Sequence, residues 1–283
     1  MLMDYHLDLV GLRTVLRTPE PIAISDRLQP FLCRRHEKAD CTITVRISDR
    51  LPQMLPGGVW RGPEYYCRQG NTLKIFHCSA GSEAAFAVTQ LLENGSVEIT
   101  VLPEYQSYFQ GSSGIFNRIG METLLLQHNG LLLHASLINY AGSGIAFTGP
   151  SGVGKSTQAQ LWEECLDAQI LNGDRAALRI SPAHWTAYGS PYAGTSGIYC
   201  PDQAPLKAIV VLAQGKENHL RKLSPTEAFA HIYPELSIHH WDRAFTEKAT
   251  DLCVALLTET PVYLLECVPD RSAVLLLKKG LAL

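Results

Sequence analysis

Short apolar runs that alternate with polar residues dominate the first hundred residues and predict β-strands. Residues 41–47, Cys-Thr-Ile-Thr-Val-Arg-Ile, alternate strictly, which places the isoleucine and valine side chains on one face of a half-buried strand. Asn94-Gly95 is a strong hairpin turn signal, so an antiparallel meander is expected around it. Residues 84–92 allow a helix as the alternative to a strand. With residues 84–92 taken as a strand, the further predicted strands are 65–68, 73–78, 84–92 and 97–102.

The apolar spacing changes after residue 112. Residues 113–127 place apolar side chains on one side of a predicted helix, which Asn129-Gly130 ends. Residues 131–140 predict a strand, which turns back as a second strand up to Thr148. A helix is predicted after it from three apolar residues at spacings of three and four: Ala159, Trp162 and Leu166. The segment that follows Thr148 is thus expected to lie between a strand and a helix.

These patterns predict an α/β protein, α+β overall, in two parts. A length of 283 residues exceeds the usual size of one domain. Residues 1–110 are expected to form an antiparallel β region that serves as a scaffold or recognises a partner. Residues 111–283 are expected to form a domain with a mixed sheet and flanking helices. Within it, Ser224 to Glu227 has the sequence of a capping box and predicts a helix start.

Composition narrows the classes of function. The chain has 24 basic and 27 acidic residues, a formal charge of −3, and no block of basic residues, so neither nucleic acid nor a membrane surface is an expected partner. Its 8 cysteines include no Cys-x-x-Cys pair, which favours reduced, buried thiols. The first residues lack the pattern of a signal peptide. We therefore expect a cytoplasmic protein.

Residues 149–157, Gly-Pro-Ser-Gly-Val-Gly-Lys-Ser-Thr, fit the Gly-x4-Gly-Lys-Ser/Thr pattern of a loop that holds nucleotide phosphates. Glycines let the backbone take positive φ and bring N–H groups close to phosphate oxygens. Lys155 is expected against the β- and γ-phosphates, and Ser156 is expected to bind Mg²⁺. A glycine-rich turn that binds nothing is the alternative. The predicted nucleotide contacts are Pro150, Ser151, Gly152, Val153, Gly154, Lys155, Ser156 and Thr157.

Three residues outside the loop are candidates for the chemistry. Asp174 follows an apolar run, where a phosphate loop needs a second Mg²⁺ anchor, and its alternative is a turn aspartate. Arg175 either steadies a transferred phosphoryl group or pairs with a surface acid. His134 is expected one strand away from the loop, either as a catalytic group or as a core histidine that donates to a backbone carbonyl. Residues 189–197 predict a second, glycine-containing loop.

The run from His134 to Ser156, followed by Asn172-Gly173-Asp174-Arg175, resembles the catalytic domain of the HPr serine kinase/phosphorylase family. It looks most like the shorter HPr-kinase-like relatives, some of which act in modified-peptide biosynthesis. The resemblance implies an ATP- and Mg²⁺-dependent kinase with a P-loop fold related to phosphoenolpyruvate carboxykinase. It also implies that residues 189–197 lie near the acceptor site, and it leaves a homo-oligomer open.

One departure from the family pattern bears on mechanism. The family usually has two consecutive aspartates before the arginine, and this chain has Gly173 and then Asp174. Either Asp174 serves both the metal and the acceptor proton, or another group such as His134 is the base, or transfer has been lost. The expected function is transfer of the γ-phosphate to Ser or Thr of a protein or peptide. The alternatives are a kinase of a small-molecule hydroxyl and a nucleotide-binding regulatory or scaffold module without transfer.

Overall fold

The structure is a computed structural model that describes residues 2–181, 184–192 and 197–283. It divides into two compact units, Met1–Gln127 and His128–Leu283. The predicted loop at 189–197 lies partly outside the described residues. No helix in the described ranges is long and apolar enough to cross a membrane.

The first unit is built on an eight-stranded sheet with the order β1-β2-β3-β8-β7-β6-β5-β4. Its strands are β1 (Met3–Leu9), β2 (Leu12–Thr18), β3 (Cys41–Ile47), β4 (Val59–Arg61), β5 (Glu64–Gln69), β6 (Thr72–Cys78), β7 (Ala85–Leu91) and β8 (Val97–Val101). The alternating segment 41–47 is confirmed as β3, and the hairpin at Asn94-Gly95 is confirmed between β7 and β8. Residues 84–92 therefore hold a strand and not a helix.

The prediction of an antiparallel β region is wrong in part, because the sheet is mixed. Strand β3 pairs in parallel with β2 on one side and with β8 on the other. Parallel neighbours need a long connection. The connection from β2 to β3 contains a 3₁₀ helix, Gln29–Phe31, and the whole run from β4 to β7 separates β3 from β8. Nothing in the local alternation of β3 specifies these distant partners.

The single helix predicted over 113–127 is two helices, α1 (Ser112–Phe116) and α2 (Met121–Gln127). Gly120 lies between them with a φ of +65°, which ends helical geometry. The link between the two helices and the end of α2 are both bonded to β7 or the residue after it: the Thr89 hydroxyl donates to the carbonyl of Arg118 (2.7 Å), and the Gln127 amide donates to that of Leu92 (3.0 Å). The units accordingly divide after Gln127, whereas the sequence pattern placed the domain boundary at 110/111.

The second unit has a mixed sheet with the order β10-β9-β12-β13-β14-β16-β15, flanked by helices. This confirms the predicted mixed α/β organisation. Its strands are β9 (Gly130–Tyr140), β10 (Ser143–Thr148), β11 (Gln169–Asn172), β12 (Arg175–Ile180), β13 (Trp185–Tyr188), β14 (Gln203–Gln214), β15 (His219–Lys222) and β16 (Val262–Cys267). Its helices are α3 (Lys155–Leu166), α4 (Pro225–Ile232), α5 (Arg243–Glu259) and α6 (Arg271–Gly280).

The core of this unit lies between the sheet and two helices, α3 and α6. Trp162 on α3 is fully buried against Phe147 of β10, and Leu277 on α6 belongs to the same cluster. Strand β10 pairs with β9 on one side and in parallel with β14 on the other. The capping box at Ser224 is confirmed at the start of α4. The segment between β10 and α3 is thereby held between a central strand and a helix with one buried face.

Candidate functional site

The loop from Gly149 to Gly154 joins the end of β10 to the first residue of α3, Lys155. Gly149, Gly152 and Gly154 have φ values of +135°, +80° and +113°, which residues with a Cβ rarely adopt. A Cβ on Gly149 would also meet the backbone oxygen of Leu212 at 3.2 Å. The chain therefore needs glycine at these positions to make this turn.

Lys155 is buried, with 8% of its surface exposed. Its ammonium donates hydrogen bonds to the carbonyls of Gly149 (2.8 Å) and Pro150 (3.2 Å), so the side chain reaches back along the loop. Burial lowers the pKa of Lys155, while the nearby carboxylates of Glu235 and Asp174 oppose this by raising it. One cation thus lies in the field of two acids from different parts of the chain.

Ser156 links the loop to the segment that follows β11. Its hydroxyl donates to the carbonyl of Gly173 at 3.4 Å, and the hydroxyl of Ser136 on β9 donates to the same carbonyl at 3.0 Å. Gly173 directly precedes Asp174. A hydrogen bond therefore joins the first turn of α3 to the residue that precedes Asp174, the predicted metal-binding acid.

Asn172 fixes the backbone at this point, and sequence reasoning gave it no role. It is fully buried, and its Oδ1 accepts the N–H groups of Asp174 (2.9 Å) and Arg175 (2.8 Å). Its amide donates to the carbonyl of Tyr192 at 2.6 Å and to both oxygens of Ser190. Asparagine side chains often accept the backbone N–H two residues further on and so form a turn. The Asn-Gly pair after the apolar run is therefore the local signal that could have identified the role of Asn172.

Asp174 has two charged or titratable neighbours. Its Oδ1 lies 3.6 Å from Nε2 of His134, and its Oδ2 lies 3.6 Å from Nε of Arg175. Arg175 is directly opposite His134 in the pairing of β12 with β9, which is why the three side chains meet. The guanidinium of Arg175 also donates to the hydroxyl of Ser237 at 3.2 Å. The predicted residues Asp174, Arg175 and His134 are therefore together.

His134 has a second acidic neighbour that the sequence did not indicate. Its Nδ1 lies 2.9 Å from Oε2 of Glu235, whose side chain is only 16% exposed. Glu235 ends a 3₁₀ helix, Tyr233–Glu235, and lies 101 residues away from His134 in the chain. No local motif marks it. The ring of His134 thus contacts carboxylates, and not the backbone carbonyl that the alternative interpretation expected.

The oxygen atoms of this site suit a magnesium ion. Mg²⁺ is usually bound by one or two carboxylates together with waters and substrate phosphates. Asp174 offers a carboxylate of this kind, and Ser156 offers a hydroxyl oxygen. In the described part of the chain no group of three or more His, Cys, Asp or Glu side chains could hold a metal, so a closed, all-protein cage is not present there.

Comparisons with known proteins give weak similarity to solved structures. No family model matches the chain, and no curated protein matches it. Among solved structures, the HPr(Ser) kinase/phosphatase from Coxiella burnetii matches with a TM-score of 0.33 and 14% identity, covering 52% of this chain and 86% of that chain. A similarity of this size is too low to assign a fold family or an activity.

Proposed function

We propose that the unit His128–Leu283 binds ATP with Mg²⁺ and transfers the γ-phosphoryl group to a hydroxyl. One observation supports this above the others: Ser156, at the start of the helix after the glycine loop, donates to the carbonyl next to Asp174. A phosphate loop acts as a kinase site only when such an acid lies beside it. The finer fold assignment, a P-loop domain of the phosphoenolpyruvate carboxykinase and HPr kinase kind, belongs to the same proposal.

Each residue has a role in this proposal. The loop from Pro150 to Gly154 and the ammonium of Lys155 hold the phosphates, with the start of α3 as the positive end of a helix dipole. Ser156 and Asp174 hold Mg²⁺, which offsets phosphate charge. Arg175, beside Asp174, steadies the transferred group. Phosphoryl transfer depends more on such positioning than on strong basicity.

The acceptor is proposed to be Ser or Thr of a protein or peptide, with the first unit as its recognition surface. The side chains of Asp174 and His134 are 32% and 38% exposed, which leaves room for an incoming hydroxyl. A small-molecule hydroxyl is the second possibility for the acceptor. A nucleotide-binding module without transfer is the alternative function, because this chain has Gly173 where the resembled family has an acid.

The test is transfer of label from γ-labelled ATP, with Mg²⁺, to proteins encoded beside this one and to Ser- and Thr-containing peptides. Wild type should label an acceptor, and Asp174→Asn should lose at least about 100-fold of that rate if it removes a metal anchor. Asp251→Asn, an exposed change on α5, is the matched control and should keep full activity. If wild type binds ATP in calorimetry but neither transfers nor hydrolyses it, the kinase proposal is wrong and the regulatory or scaffold module is favoured.

A further inference from the structure

The imidazole of His134 lies between two carboxylates that arrive from different elements. Asp174, next to β12, faces Nε2 at 3.6 Å, and Glu235, from the 3₁₀ helix after α4, faces Nδ1 at 2.9 Å. Resting on the proposed function, we propose that His134 is the base for the acceptor hydroxyl and that Glu235 is the positioning residue that holds it. Asp174 is then left to the metal. Of the three alternatives that the sequence left open, this is the one in which a group other than Asp174 takes the acceptor proton.

Hydrogen-bond accounting decides which nitrogen can act. An ionised carboxylate only accepts hydrogen bonds, so the proton in the 2.9 Å contact belongs to Nδ1 of His134. In the neutral ring this leaves a lone pair on Nε2. Nε2 is also the nitrogen that faces Asp174 and therefore the predicted metal site. Glu235 thus selects the tautomer whose basic nitrogen points toward the reacting groups.

Both partners of this pair are held in place by the backbone. The carbonyl of His134 accepts the hydroxyl of Thr148, the last residue of β10, at 2.9 Å. Leu236 forms an isolated bridge with Leu133, and the N–H of Ser237 donates to the carbonyl of Leu132 at 2.9 Å. The residues that follow Glu235 therefore tie it to β9, the strand that bears His134. Positioning of this kind is what a base needs in order to act on a bound hydroxyl.

The proposed step moves the phosphoryl group to the acceptor oxygen and the acceptor proton to His134. The acceptor oxygen forms a bond to the γ-phosphorus while the bond from that phosphorus to the β,γ-bridging oxygen breaks, and ADP leaves with the bonding pair. The acceptor proton moves to Nε2 of His134. Glu235 stabilises the resulting imidazolium, as a buried carboxylate does in a Ser-His-Asp triad. The imidazolium later releases its proton to water.

The charged groups around His134 define what a test must separate. Glu235 and Asp174 face the ring, Arg175 pairs with Asp174, and Lys155 lies in the field of both acids. Removing Glu235 therefore takes away one negative charge near Lys155 as well. For that reason ATP affinity has to be measured separately from the rate, and loss of Glu235 should not weaken it.

The experiment compares wild type with Glu235→Gln and Glu235→Ala in the full chain. Both variants should lose about 10- to 100-fold in kcat, a part of the effect of a general base, with KM for ATP changed by no more than about 2-fold. Glu247→Gln, which removes an exposed carboxylate on α5, is the control.

A second readout does not depend on turnover. In the free protein at alkaline pH, ¹⁵N–¹H correlation spectra of His134 should show the proton on Nδ1 in wild type and a shift of population toward Nε2 in Glu235→Ala. A wild-type rate in both variants, or His134 protonated on Nε2 in wild type, would overturn the assignment. Failure of the proposed function looks different: wild type itself then transfers no label, whether or not it binds ATP.

Discussion

At the scale of single residues, Lys155 is the side chain whose loss should be felt most directly in nucleotide binding. Its ammonium is buried, and loop carbonyls already hold it at 2.8 and 3.2 Å. Lys155→Met keeps the length of the side chain and removes the charge. A hydrogen bond from a charged group contributes about 1.5–3 kcal/mol, so the Kd for Mg·ATP should rise by about 10- to 150-fold.

Isothermal titration calorimetry measures this change. Lys216→Met, which removes an exposed lysine from the same unit, should leave the Kd within about 2-fold of wild type, as expected for a surface charge outside the site. Equal affinities for wild type and Lys155→Met would remove the ammonium from the proposed phosphate contacts. Circular dichroism of the variant keeps a folding defect apart from a loss of binding.

At the scale of elements, Gly120 explains why residues 112–127 form two helices. Its φ of +65° is compatible with glycine, and a Cβ there would lie 3.1 Å from Ile75 and 3.3 Å from Leu91. Gly120→Ala therefore combines backbone strain of about 1–2 kcal/mol with crowding of about 1–3 kcal/mol. We expect a total loss of about 2–5 kcal/mol in the free energy of unfolding, measured by urea titration.

The control for this prediction is a glycine in the same unit that has the same kind of backbone and no neighbours. Gly81 has a φ of +78°, and a Cβ there would meet nothing within 4 Å. Gly81→Ala should cost only the backbone strain, about 1–2 kcal/mol. If the two variants lose the same free energy, then the contacts with Ile75 and Leu91 are not what makes position 120 sensitive.

The same element shows where prediction from sequence works and where it stops. Strand β3, the hairpin between β7 and β8, and the order of β10, loop and α3 were all predicted, because alternation, turn residues and helical spacing are local signals. The helix break was missed because the spacing of apolar residues carries no information about the backbone angle of Gly120. The parallel partners of β3 were missed because they are set by residues far along the chain.

The candidate site divides in the same way. The glycine loop and Asp174 were recognisable because their spacing is short and the chemistry needs particular residue types. Glu235 was not recognisable, since it reaches His134 only through the fold and is 101 residues away. Asn172 lay between the two cases: its position before Asp174 is a local signal, but its burial is visible only in the structure.

At the scale of the whole molecule, the two units contain ionisable groups that respond to acid in different pH ranges. In the first unit, His77 is buried and contacts Glu64 at 3.0 Å and Thr89 at 2.9 Å. Burial lowers the pKa of His77 below its ordinary value of 6.5, and Glu64 only partly opposes this. In the second unit, hydrogen bonds from Ser224 and Arg221 lower the pKa of Glu227 from 4.5 to about 2.

The sign is the same for both groups, but the window differs. A group whose pKa is lower in the folded state than in the unfolded state binds fewer protons when the protein is folded. Its contribution to stability is complete above the pKa of the unfolded state and is lost as the pH falls toward the pKa of the folded state. For His77 the loss begins near pH 6.5, and for Glu227 it begins near pH 4.5. Between pH 7.5 and 5, the free energy needed to open strands β5 to β7 should therefore fall, by at most about 1.4 kcal/mol per pH unit for one proton. The free energy needed to open α4 should stay the same over this range.

Hydrogen exchange, corrected for the intrinsic pH dependence of the amide rates, measures both regions in one sample. His77→Gln removes the titrating ring and should flatten the pH dependence of β5 to β7 in that range, even though the variant is less stable at every pH because Glu64 and Thr89 lose a partner. An unchanged slope in His77→Gln would mean that other groups set the acid response of the first unit. Early loss of protection in α4, above pH 5, would contradict the assignment of its acid response to the Glu227 cap.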